Sequence, residues 1–303
     1  MRVARNGMLV ASVLSVAAAV ACSPDTRSVP EDLDTDSDTG CDCEDTDDES
    51  VEGLAAAINL CPGSEDLLSV SRDMTSAYGE QGFGVRSQIG ESDCLTERQA
   101  CTMLAIATGP LDLENPNDIS DMGDDGHSTD LDPQPEYQGG DPTTADLQET
   151  CDRNQLRLGL AVPAGKQGFS FDFLFASAEY PEFLDAGYND TFYAIMQYDA
   201  LNGGATTNIA FDDLDNEIEV DADFFENIAH PCSEDGSPWA VGIEYGAGST
   251  GWLRTSWPVA EGDDFSLTFS IHDEGDCYFD SMVLIDNFLW LNEAPPGTTV
   301  PIE

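Results

Sequence analysis

The sequence predicts a mainly β protein: an antiparallel β-sandwich, jelly-roll-like, with a few short helices and long acidic loops. Three observations carry this expectation. Residues 169–176 alternate strictly, with Phe169, Phe171, Phe173 and Phe175 on one face and Ser170, Asp172, Leu174 and Ala176 on the other, the pattern of a strand with one buried face. Phe265, Leu267, Phe269 and Ile271 repeat that pattern. From Cys151 onward, short apolar runs are separated by turn signals with no amphipathic helix between them, which favours sheet packed on sheet.

In chain order, Arg2 and Arg5 precede an uncharged, largely apolar run over residues 8–21, which ends Ala19-Val20-Ala21-Cys22. Residues 1–21 are therefore expected to be a signal peptide. The ending is similar to a bacterial lipoprotein signal, and that resemblance implies lipidation of Cys22 and a membrane anchor on the outer membrane or cell surface. Cleavage after a small residue by an ordinary signal peptidase is the competing reading; it would leave a periplasmic or secreted chain. The run is too short to span a bilayer comfortably.

Residues 22–50 are expected to be an acidic, disordered linker. They include DLDTDSDTGCDCEDTDDE and almost no apolar side chain, so they cannot bury enough surface to offset the entropy of ordering. Asp34, Asp36 and Asp38 imitate the start of a calcium loop, but Gly40 comes one place late and no Glu closes the loop. Residues 51–293 are expected to form one domain. VEGLAAAINLC has helical spacing and stops at Pro62-Gly63, FGVRSQIG and CTMLAIATG look like strands, and residues 110–150 form a long acidic loop punctuated by Gly and Pro. Leu156, Leu158, Leu160 and Val162 alternate, the run from Phe192 to Tyr198 follows the aromatic strand, and Ile218, Val220 and Ala222 alternate again. AVGIEY and MVLIDNFLW complete the set, and residues 294–303 read as an extended tail.

Ten basic residues against sixty acidic ones give a formal charge of -50. Such a chain lacks the Lys and Arg that a nucleic acid needs to replace its counterions. The charge favours cations, cationic partners or plain solubility. Apart from Cys22, the cysteines are Cys41, Cys43, Cys61, Cys94, Cys101, Cys151, Cys232 and Cys277, an even set consistent with disulfides in an oxidising compartment. Spacing does not choose among their pairings. A zinc site at Cys41-Asp42-Cys43 lacks a second ligand pair.

Two stretches carry a family resemblance. FDFLFASAEYPEFLDAGYNDTF and SIHDEGDCYFDSMVLIDNFLW resemble the signature strand and the closing strand pair of the bacterial choice-of-anchor L domain, and CTMLAIATG is similar to its N-terminal half. The resemblance covers about 51–292 and implies an extracellular β-rich module attached by varied means, with no implied enzymatic activity. Ala178 stands where an acid is common in that pattern.

The oxygen-rich loops after the two aromatic strands are the candidate site. Glu179, Asn189 and Asp190 come from one loop and Asp273, Asp276 and Asp280 from the other. If the strands ending at Ala176 and Ile271 lie side by side, both loops meet at one end, where a hard cation such as Ca²⁺ could take carboxylate and carbonyl oxygens. The rival reading is that these acids are solvated turns. Tyr180, Phe183, Tyr188 and Tyr278 beside the loops would suit a sugar or a cationic peptide, or simply cap the core. Paired carboxylates could form a glycosidase site, but no nucleophile elbow, metalloprotease motif or phosphate loop is present, and His127, His230 and His272 read as loop or structural residues. The sequence therefore points to an exported, non-enzymatic surface module, calcium-stabilised, with an adhesion or structural role and a glycan or protein ligand. A carbohydrate-active enzyme or calcium-dependent lectin is the alternative. Oligomeric state is not legible.

Overall fold

A computed structural model describes residues 48–74, 79–89, 95–96, 102–111, 150–180, 183–184, 189–212, 216–222, 224, 248–274 and 280–302. The expected signal peptide with Cys22, nearly all of the linker, most of the 110–150 loop, the run at 240–245, His127 and His230 lie outside the described residues.

The chain opens with helix α1 (Val51–Ala56) and continues through β1 (Leu67–Met74), β2 (Phe83–Arg86), β3 (Gln88–Ile89), β4 (Leu95–Thr96), β5 (Met103–Ala107), β6 (Thr150–Ala161), β7 (Gly168–Ser177) and β8 (Thr191–Gln197). It ends with β9 (Thr206–Asn208), β10 (Ile218–Glu219), β11 (Gly248–Ser249), β12 (Leu253–Pro258), β13 (Asp264–Glu274), β14 (Ser281–Leu291) and β15 (Thr298–Pro301). Six strands make one sheet, β1-β6-β13-β8-β10 with β9 also on β8; seven make the other, β15-β12-β7-β14-β5-β2 with β11 also on β7. The long pairings are antiparallel. Consecutive long strands change sheets, β6 to β7 to β8 and β12 to β13 to β14, so the chain is the expected two-sheet sandwich with jelly-roll-like crossings.

The phenylalanine faces explain why the sheets adhere. Phe169 stacks on Phe265 with ring centroids 5.1 Å apart, Phe171 meets Phe269 edge-on at 5.0 Å, and Phe173 lies 4.9 Å from Phe192. Every such contact joins β7 of one sheet to β13 or β8 of the other. A buried phenylalanine contributes on the order of 2–3 kcal/mol, with a little more from ring geometry.

Helix α1 packs on one edge. The Ser50 hydroxyl caps it by accepting from the Gly53 N–H at 3.1 Å, and Asn59, at φ 72, ends the turn that follows. The Ile58 carbonyl accepts from the Phe288 N–H at 3.3 Å, which ties the helix to β14.

Four expectations need correction. Strand β7 has no solvent face: all ten residues are buried, because Leu174 and Ala176 join Met103, Ala105, Ala107, Met282 and Leu284 in a second apolar layer with Leu111 and Trp252. On the same side Asp172 sits at 0 % exposure, held by Arg254 through two bonds of 2.6 and 2.9 Å and by Asn287 Nδ2 at 2.9 Å. Asn287, at φ 56, occupies a bulge in β14 that aims its amide there. Strands β7 and β13 are not side by side; they belong to opposite sheets because their phenylalanines need a facing surface, which a sheet neighbour does not provide. The alternation at 218–222 yields only the two-residue β10 before a turn. Strands β1, β9 and β12 were not expected, and the segment after Asn292, expected as an extended tail, does run extended but pairs with β12 as edge strand β15.

Candidate functional site

One end of the sandwich gathers the acids. Strands β5, β7 and β13 finish there and β6, β8 and β14 begin there: Ser281 pairs with Ser177, Met282 with Ala107, Thr191 with His272, and Thr150 with Glu274. Both acidic loops therefore do meet, across the sandwich and not along one sheet.

Asp190 ties the corner together. Its Oδ2 accepts from the Ser281 hydroxyl at 2.5 Å, its Oδ1 from the Glu274 N–H at 3.2 Å, and its own N–H donates to Glu179 Oε2 at 3.4 Å. The Glu179 N–H donates to Ser177 Oγ at 3.0 Å, and the Ala178 N–H to the Asp280 carbonyl at 3.2 Å. Thr108 Oγ1 accepts from the Ser281 N–H at 2.9 Å. Gly109 lies beside it, where an added Cβ would displace the buried Asp280 carboxylate. Thus the turn after β7, the start of β8, the end of β13 and the start of β14 share one network.

Burial here is near total: Glu179, Asp190, Asp273 and Asp280 are 2, 1, 2 and 6 % exposed. Among the described residues neither Asp190 nor Asp273 has a basic partner. Burial, partly offset by the bonds from Ser281 and Glu274, pushes Asp190 up to about 7. Burial, then the charges of Asp190 and Asp280, pushes Asp273 well above the usual carboxylate range, although the Thr108 hydroxyl is close enough to ease it slightly. Neither Asp273 oxygen accepts a well-formed hydrogen bond. Carboxylates so placed hold protons or a cation, because an unpaired buried charge is strongly disfavoured.

The acidic field extends along β8 and β10. Glu219 is raised to about 8 by burial, then by Glu217, Glu274, Asp221 and Asp212. Tyr193 donates its hydroxyl to Glu217 Oε2 at 2.7 Å, and His272 lies 2.9 Å from Glu274 Oε1 with its ring stacked on Tyr193. His272 is a packed, hydrogen-bonded residue here.

Of the predicted site residues, the corner brings together Glu179, Asp190, Asp273 and Asp280, with half-buried Asn189 at its rim, where its carbonyl accepts from Thr191 Oγ1 at 2.7 Å. Asp276 lies outside the described residues. Among the described residues, no three His, Cys, Asp or Glu side chains stand ready-made around a single metal ion. Sequence reading missed Asp152, 3 % exposed and at φ 49 in a bulge of β6; its charge adds to the field on Asp273. It also missed Thr108, Glu274 and Ser281. An Asp directly after a cysteine at a strand start carries no signal without knowledge of the β6–β13 pairing.

Tyr180 packs against the main core; Tyr188 and Tyr278 lie outside the described residues. Cys61 is disulfide-bonded, with its partner outside the described residues, as are the side chains of Cys22, Cys41, Cys43, Cys94, Cys101, Cys151, Cys232 and Cys277.

The choice-of-anchor L domain matches this chain over residues 104–288, more than half of its length. The chain belongs to that family. The match spans β5 to β14, so it takes in every strand that builds the acidic corner. Choice-of-anchor L domains are extracellular surface modules, and this one is exported on that ground. No curated protein matches it. Among solved structures it is similar to TmCBM61, solved in complex with beta-1,4-galactotriose, at 10% identity and a TM-score of 0.33, covering 75% of this chain and 91% of that one. A TM-score that low establishes neither a common topology nor a common ligand.

Proposed function

We propose that this choice-of-anchor L domain is a non-enzymatic, lipid-anchored surface module whose acidic corner binds Ca²⁺ and thereby locks one end of the sandwich for a binding or adhesive role. One observation carries the cation: Asp190 and Asp273 are buried together with no basic partner among the described residues, and neither Asp273 oxygen accepts a well-formed hydrogen bond. Glu179, Asp190, Asp273 and Asp280 would supply carboxylates and Asn189 a neutral oxygen, with Asp276 available from the intervening loop. Since the side chains do not already form a shell, binding requires small rotations at the rim. The acidic linker would hold the module away from the membrane to which Cys22 anchors it.

The same burial supports a non-catalytic reading. A glycosidase needs one acid and one base that touch the sugar, whereas these two carboxylates are 1 and 2 % exposed and shifted in the same direction. Thermal melting in millimolar Ca²⁺ and after chelation tests the proposal. An upward shift in midpoint with Ca²⁺ that is lost in Asp190→Asn is expected; identical midpoints in Ca²⁺ and chelator would refute it.

A further inference from the structure

A second feature lies away from the acidic corner, on the outer face of the six-stranded sheet. The strands β1, β6 and β13 form there a recess of about 200 Å³ lined by Ser71, Asp73, Gln155, Arg157 and Thr268. The pairing register explains the composition. Leu156, Leu158, Leu267 and Phe269 point into the core, so the alternate residues face outward, and Ser71, Arg157 and Thr268 form one cross-strand rung while Asp73, Gln155 and Ser270 form the next.

Arg157 is the unusual member. Among the described basic residues, Arg72, Arg86, Arg153 and Arg254 each hold a carboxylate. Arg157, exposed, meets only the Gln197 amide oxygen at 3.4 Å. In a chain of formal charge -50, a guanidinium without a carboxylate partner is uncommon, and its planar fork of donors is left largely unfilled. Asp73, the one carboxylate among the described residues of the recess, is already engaged by Arg153 at 3.0 Å. Gln155 is fixed to Ser270 Oγ at 3.0 Å, so the floor is rigid.

We infer that this recess binds a neutral saccharide, with Arg157 bridging vicinal hydroxyls and Ser71, Asp73 and Thr268 completing the contacts. Among the described residues the lining offers donors and acceptors but no apolar side chain, which suits a polyol and not a lipid or an aromatic ligand. The chain's charge repels polyanions. Among the described residues no aromatic platform lines the recess, so a single site should be weak, and adhesion would rely on many copies on one surface. This inference rests on the reading of the chain as a surface binding module, but not on its calcium.

The test uses the full mature chain, titrated by calorimetry and followed by NMR of the arginine side chains. The probes are short neutral gluco-, manno-, galacto- and xylo-oligosaccharides, oligogalacturonate and a lysine-rich peptide. At least one neutral series is expected to bind and to shift the Arg157 signal, with affinity reduced about tenfold or more in Arg157→Ala and partly restored in Arg157→Lys. Lys166→Ala should bind as the parent does. Unchanged melting and an unchanged calcium response in Arg157→Ala establish that its fold is intact. No binding of any neutral series, equal binding by Arg157→Ala, or binding confined to oligogalacturonate or the peptide would overturn the inference. Loss of the calcium response alone would overturn the corner and leave this site standing.

Discussion

Raising the pH from 5 to 8 in chelator should destabilise the protein. A carboxylate whose folded pKa lies above its unfolded value binds its proton more tightly in the native state, so its contribution is fully present below the unfolded pKa and is lost as pH rises through the folded one. Asp190 moves from 3.8 to about 7, a gap of roughly three units, of which about two lie above pH 5 and contribute about 3 kcal/mol at most. Asp273 moves in the same direction, and Glu219, at about 8, extends the window to the alkaline side. For a unit of this size each kcal/mol moves the melting midpoint by about 2–4 °C, so scanning calorimetry in chelator should show a fall on the order of 10 °C between pH 5 and 8. Ca²⁺ favours the ionised carboxylates, takes the place of the protons and should remove most of that fall. Asp190→Asn should reduce the slope in chelator, which separates the corner from general repulsion among surface acids already ionised at pH 5. A chelated midpoint that is flat, or rises with pH, would refute the reasoning.

Arg254→Met leaves the fully buried Asp172 carboxylate without its cation; a loss of about 3–5 kcal/mol in urea denaturation is expected, and a loss below about 1 kcal/mol would show that the pair is not what holds the outer layer of β7. Cys22→Ala should move the protein from the membrane fraction to the soluble one and abolish labelling with radioactive palmitate; retention at the membrane would contradict the anchor.

The strands legible in the sequence were β6, β7 and β13, with large apolar side chains at every second position, and β2, β5, β8 and β14, which read as short apolar runs. The alternation in the first three reports a core that is thick enough to demand large side chains. Strands β1 and β12 were not legible because LLSVSRDM and LRTSWP mix polar residues onto both faces, and their place is fixed by the neighbours they pair with. The four-residue edge strand β15 carries too short a pattern to register. The corner was half legible. Glu179 and Asp190 stood out as acids at the mouth of an apolar strand, but Asp152, Thr108 and Ser281 come from strands distant in sequence, and only the sheet order assembles them. The recess around Arg157 left no trace in the sequence, because a lone arginine in a strand becomes distinctive only when its lack of a carboxylate partner can be seen.

Strand β7, enclosed on both sides, has a consequence for how relatives are recognised. A motif made of core residues selects chains able to build this scaffold, whatever they attach to. Its phenylalanines and Asp172 answer to packing within the molecule and so carry no record of a ligand. Differences of specificity among related chains should therefore be sought at positions the motif ignores, such as the exposed Ser71 of β1 and Arg157 of β6, where a substitution changes what the surface presents without disturbing what holds it together.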